Sequence, residues 1–158
     1  MKLVKPSPGN WQYHLNQNEA DLLLGLMKRF PFTEMDRVKI SKTDQEPKAI
    51  EREKLLNESL AEHRRNLTRI AVNLLGKEKW KPAEEGRLLT LDSESRENLL
   101  QILNDIRVGC WHGLGEPETL DFLPAPSSVK DFACRHLMDL AGYFEMGLLE
   151  TEDGARGK

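Results

Sequence analysis

Cysteine, aromatic residues and long apolar runs are all scarce in this chain. Two cysteines, Cys110 and Cys134, occur in 158 residues. A small secreted domain stapled by disulfides carries more, at denser spacing. Aromatic residues make up 6% of the sequence, too few to read as a stacking platform for single-stranded nucleic acid. No apolar stretch approaches the roughly 18 residues that span a bilayer; the longest cluster lies near Leu22–Met27. The opening residues, Met1-Lys2-Leu3-Val4-Lys5-Pro6, lack the apolar run of a secretory signal. A large charge of one sign is missing too, since 23 Lys and Arg against 26 Asp and Glu leave −3. That balance excludes a strongly basic nucleic-acid binder and an acidic disordered tail. The absences together point to a cytoplasmic protein with reduced thiols and no membrane association.

What is present reads as one mainly α domain over residues 1–150, followed by a tail, 151–158, expected to fray. Four helices are expected around one core, with a small antiparallel two-stranded β element. Trp11, Tyr13 and Leu15 alternate with Gln12 and His14, the period of a half-buried strand. Asn16 with Glu19 three residues on is a capping box, and Leu22, Leu23, Leu26, Met27 and Phe30 follow as a helical stripe ended by Pro31. Arg37–Ile40 is a candidate edge strand. A long helix over 47–75 carries a heptad-like seam at Leu60, Leu67 and Leu74, and Gly76 stops it. Lys77–Gly86 reads as a polar loop and Arg87–Leu91 as the second strand. Asp92 or Ser93 caps a third helix with the stripe Leu99, Leu100, Ile102, Leu103, Ile106 and Cys110. A proline-rich loop, 116–127, leads to a last helix starting near Ser127 or Ser128, with Asp131 in its first turn. Its buried face is expected to be Val129, Phe132, Ala133, Leu137, Leu140, Ala141 and Phe144. The two strand–cap–helix units at 11–27 and 87–103 echo one another, which favours pairing of the two strands.

Two constellations compete for a functional role. Cys110-Trp111-His112 and Cys134-Arg135-His136 each place a thiol and an imidazole two residues apart. On a helix that spacing turns the two side chains about 200° from each other. No metal site is expected from them, and no cofactor site is legible elsewhere. Asn104, Asp105, Arg107 and Trp111, with His112, form the densest polar patch within an apolar helix. Arg107 and Trp111 are one turn apart, which allows the guanidinium to stack on the indole. The patch is either a partner-binding surface or a buried network that fixes helix register or caps the proline-rich loop. No serine, cysteine or histidine stands in a spacing that specifies nucleophilic or general-base work, and the chain reads as non-enzymatic.

Charge is uneven along the chain. Residues 1–79 hold 15 basic and 11 acidic residues, and the remainder holds 8 and 15. Lys2, Lys5, Lys28, Arg29, Arg37, Lys39 and Lys42 would be the footprint of a nucleic-acid-associated regulator. Interleaved acids make nucleic acid the weaker reading. A homo-oligomer joined through Leu60, Leu67 and Leu74 is the other alternative.

The run Leu103-Asn104-Asp105-Ile106-Arg107-Val108, closing with Gly113-Leu114-Gly115, resembles an uncharacterised family of bacterial helical proteins. So do the opening strand with its Leu-rich helix and the ending Phe144-Glu145-Met146-Gly147-Leu148-Leu149-Glu150. In actinobacteria that family is often encoded beside the adaptor of the Clp protease. The resemblance implies a helical fold and a link to protein quality control. It supplies no catalytic residues, and it singles out Asn104, Asp105 and Arg107. The chain is therefore expected to be an interaction or regulatory protein. Asn104, Arg107 and Trp111 with the proline-rich loop would form the working surface, and Trp111 the aromatic anchor.

Overall fold

A computed structural model describes residues 1–7, 9–31, 47–118 and 125–156, with side chains for all of these but 5–7 and 150–156. The candidate edge strand at 37–40 lies outside the described residues, as do Arg37, Lys39, Lys42 and positions 119–124 of the proline-rich loop. The order of elements is β1 (Lys2–Ser7), β2 (Asn10–Leu15), α1 (Gln17–Arg29), α2 (Pro47–Leu74), a 3-10 turn (Lys77–Lys79), β3 (Trp80–Ala83), β4 (Gly86–Asp92), α3 (Ser93–Gly113) and α4 (Val129–Arg156).

The alternating segments β2 and β4 pair antiparallel, with Trp11 opposite Leu91 and Tyr13 opposite Leu89. The β element is larger than a two-stranded ribbon, because β1 and β3 add to its edges in the order β1-β2-β4-β3. Both added strands carry lysine and proline: Lys2, Lys5 and Pro6 in one, Lys81 and Pro82 in the other. Proline lacks the amide that a central strand must donate, and lysine discourages further pairing, so both suit an edge. Lys77–Gly86 is accordingly a 3-10 turn, a strand and a tight turn, not a loop. Trp80 opens β3 and its indole N–H donates to the Leu74 carbonyl at 2.8 Å, satisfying a free carbonyl at the end of α2. One face of the sheet buries Tyr13, Leu15, Leu89 and Leu91 beneath the helices. The other presents Gln12, His14, Leu88 and Thr90, all partly exposed.

The capping box forms as the sequence predicts. The Asn16 side chain accepts from the Glu19 amide, and the Glu19 carboxylate accepts from the Asn16 amide. Phe30 is extended before Pro31. Asn16→Ala is expected to destabilise the protein by about 1 kcal/mol, the usual worth of such a cap, as thermal unfolding would record.

In α2, Leu67, Ala71 and Leu74 are buried, whereas no residue from Pro47 to Glu62 is. The seam expected to join copies therefore fills the chain's own core. Leu67 and Leu74 are taken up there and Leu60 is half-buried, so this set does not form an intermolecular seam. α3 lies between α2 and α4 and supplies Leu99, Ile102, Leu103, Ile106 and Cys110 to the core.

In α4, Ser128 Oγ accepts from the Asp131 amide, and Asp131 accepts from Ser127. The helix runs on to Arg156. Its buried face differs from expectation. Cys134, Met138, Ala141, Phe144 and Leu148 point inward, while Val129 and Phe132 are exposed. Apolar residues occupy both sides of this helix, so periodicity alone does not choose between them. Among the described residues no helix is long and apolar enough to cross a membrane.

Candidate functional site

The helical period of α3 divides the predicted patch between three environments. Ile102, Leu103, Ile106 and Cys110 are buried. Asn104 and Arg107 are exposed, Asp105 is half-buried beside α2, and Trp111 is half-buried at the helix end. The patch is thus neither one buried network nor one continuous surface.

Arg107 reaches α4. Its Nη1 donates to Glu145 Oε2 at 2.5 Å; the arginine side chain remains 44% exposed and the carboxylate side chain 11%. The buried partner holds the guanidinium over the α3–α4 groove with part of it still facing water. A charge-assisted bond of this kind is among the stronger polar contacts available. The Asn104 side chain makes no hydrogen bond among the described residues. Val108, 44% exposed, continues this outward ridge.

Trp111 has a different task. Its indole N–H donates to the Pro117 carbonyl at 3.1 Å, and Glu116, at a positive φ, donates its amide to the Trp111 carbonyl. The stack of Arg107 on Trp111 that the spacing allows is not formed. The ring nearest Trp111 is His112, 5.0 Å away and tilted. His112 Nδ1 in turn sits 2.8 Å from the Glu116 carboxylate. Trp111 is a clasp on the start of the proline-rich segment, not a free aromatic anchor.

Asp105 turns toward α2. Its Oδ2 is shielded from solvent, makes no hydrogen bond among the described residues, and lies 3.8 Å from Arg64 Nε. Desolvation raises its carboxyl above the ordinary range, against the opposing attraction of Arg64 and His63. A carboxyl raised on folding stabilises the fold fully below its unfolded pKa, and that contribution is lost as pH climbs through the folded pKa. Asp105→Asn is therefore expected to raise stability at neutral pH, by on the order of 0.5 kcal/mol. Its advantage over the parent should vanish as the medium is acidified below the carboxylate range. Paired thermal melts across pH check the sign.

Other titratable groups serve the scaffold. The amide and hydroxyl of Ser95, with Lys79, hold the Asp92 carboxyl below its usual range at the start of α3. Burial works against Glu19, yet hydrogen bonds from the Met1 ammonium, Tyr143 and the Asn16 amide hold its carboxyl low. The same contact raises Tyr143. This cluster ties β1, α1 and α4 together. Cys110 and Cys134 are both buried, whereas His112 and His136 are exposed. Each Cys-x-His unit is thus split across a helix, as the spacing requires. Among the described residues, no three His, Cys, Asp or Glu side chains converge on a point where a metal ion would sit.

Sequence reasoning missed Arg96, a buried arginine on α3. Its Nε donates to the Tyr13 hydroxyl at 3.1 Å, its Nη2 donates to the Leu148 carbonyl at 2.7 Å, and its guanidinium lies 5.1 Å from the Trp11 ring centre. The only signal was a charge at an apolar-stripe position, three residues before Leu99. Of the basic residues proposed as a nucleic-acid footprint, Lys2 is exposed on β1, and Lys28 and Arg29 are exposed at the end of α1.

No family model matches this chain, and no curated protein or solved structure matches it.

Proposed function

We propose that the chain is a non-catalytic interaction protein whose partner protein docks on the outward ridge of α3 formed by Asn104, Arg107 and Val108. The observation that carries this reading is the exposure of Asn104 and Arg107 on a helix whose other faces are committed to the core. Asn104 offers an amide with no internal partner among the described residues. Arg107 offers a guanidinium already oriented by Glu145, so little side-chain freedom is lost when it binds. Val108 supplies a small apolar contact beside them. A complementary surface would present carboxylate or carbonyl oxygens around an apolar side chain. Trp111 supports the ridge from its edge by holding Pro117. The resemblance of the Leu103–Val108 run to the bacterial family encoded near the Clp adaptor makes regulated proteolysis the pathway to test first.

Asn104→Ala and Val108→Asp leave no buried partner stranded, so they separate docking from stability. A protein recovered stoichiometrically with the parent should fall at least about tenfold with either variant, a loss of about 1.4 kcal/mol, at unchanged melting temperature. Equal recovery by parent and variants would make the ridge an ordinary solvated face.

A further inference from the structure

The outward side of α4 carries a second pattern, separate from the α3 ridge. Val129, Phe132, His136, Asp139, Tyr143 and Met146 follow alternating spacings of three and four residues, the a and d positions of a heptad. All six are exposed. The four apolar members stand at 87%, 63%, 47% and 60% for Val129, Phe132, Tyr143 and Met146. This stripe is opposite the one formed by Cys134, Met138, Ala141 and Leu148, which fills the core. α3 flanks it on one side through Arg107 and Glu145, and Met1 with Glu19 flanks it on the other through Tyr143. The result is an apolar seam about 25 Å long at the helical rise, touched at its edge by Met1 and Glu19 through the Tyr143 hydroxyl.

The order of residues in the seam identifies what covers it. Turned about a two-fold axis between His136 and Asp139, the stripe meets itself in one register. Val129 faces Met146, Phe132 faces Tyr143, and His136 faces Asp139, each pair occurring twice. Antiparallel coiled coils pair a with d in this manner. Apolar side chains meet apolar ones, and the two polar positions meet as an imidazole and a carboxylate. Parallel pairing would set His136 on His136 and Asp139 on Asp139. A slip of one heptad in either direction would set a charged or polar side chain against Phe132, Tyr143 or an aliphatic residue. A single register satisfies every position, and its partner is the same surface, as an isologous interface requires.

We propose that two copies of the chain associate through α4, antiparallel about this axis. Phe132–Tyr143 and Val129–Met146 form the apolar layers, and paired His136–Asp139 contacts form the centre. The seam shares no residue with the docking ridge on α3, so either reading can fail alone. A contact of one helix on one helix is small among stable interfaces, so a dissociation constant on the order of 10 µM is expected.

Sedimentation equilibrium of the full chain from low micromolar to roughly 200 µM, well above that constant, tests the proposal. The parent should pass from one chain to two. Phe132→Glu should leave a monomer. His136→Glu sets a carboxylate against Asp139 and should weaken association at least tenfold. Adding Asp139→Lys to His136→Glu should restore it, since the two exchanged side chains, now of opposite charge, would face each other across the axis. A general loss of folding cannot produce that rescue. All three positions are exposed, and circular dichroism melts confirm that the variants stay folded. A parent that is monomeric throughout overturns the proposal. So does a dimer indifferent to Phe132→Glu, or one that the double exchange fails to restore. Retention of an unrelated protein on this face by a strictly monomeric parent would overturn it as well.

Discussion

Replacing Arg96 by alanine is expected to cost the fold about 3 kcal/mol, because it removes charge-assisted hydrogen bonds to the Tyr13 hydroxyl and the Leu148 carbonyl together with a buried side chain. Its guanidinium joins three elements at once: β2 through the Tyr13 hydroxyl and the Trp11 ring, and α4 through the Leu148 carbonyl, from a position on α3. Tyr13 is completely buried, so its hydroxyl has no route to water when the donor is removed. Arg96→Met keeps the length and apolar stem but leaves the buried Tyr13 oxygen without this donor, and should lose nearly as much. Arg96→Lys retains the charge as a single point donor without the planar fork that serves both oxygens. Its melting temperature should fall between those of the parent and the methionine variant. Denaturant unfolding of the three variants checks the order. If Arg96→Met proves as stable as the parent, burial of the side chain and not its hydrogen bonds holds these elements together.

Gly86→Ala is expected to destabilise by a similar amount, on the order of 3 kcal/mol, through strain and overlap rather than lost bonds. Gly86 opens β4 at φ +134°, which side chains rarely adopt, and a Cβ there would lie 2.1 Å from the Leu15 carbonyl oxygen and 2.8 Å from Asn16 Cα. Both atoms are backbone, at the junction where β2 passes into the capping box of α1. The substitution therefore pushes on the strand pairing and on the Asn16 cap together. A fall in melting temperature of roughly 10 °C follows for a chain of this size. Amide exchange should quicken first at β2 and the start of α1. A fall no larger than that of Asn16→Ala would contradict the close approach.

Local chemistry makes much of this fold legible in the sequence. Asn16 with Glu19, and Pro31 after Phe30, mark their helix ends by hydrogen bonding and sterics within a few residues. The alternation at Trp11–Leu15 and the apolar run Arg87–Leu91 mark the two central strands, which bury Tyr13, Leu15, Leu89 and Leu91 on one face. β1 and β3 escaped for the complementary reason. An edge strand takes hydrogen bonds from one side only, so it tolerates Pro6 and Pro82 and carries lysine where a reader looks for apolar residues. The inward face of α4 was ambiguous because Val129, Phe132, Tyr143 and Met146 continue an apolar pattern on the side away from the core. Arg96 and the Arg107–Glu145 pair were invisible because their partners are distant in sequence. The polar patch on α3 was found, but its division among solvent, α2 and the Pro117 segment depends on neighbours that no local pattern specifies.

The central claim is that the ridge of Asn104, Arg107 and Val108 receives a partner protein. The most direct test places a photo-reactive amino acid at position 104, with a control at Glu97, which is also exposed on α3 but nearer its start, and irradiates the protein in its source cells. The account predicts one dominant cross-linked protein from position 104, little from position 97, and loss of that product when Val108→Asp is added. Cross-linking that is equally weak at both positions, or unaffected by Val108→Asp, would contradict it.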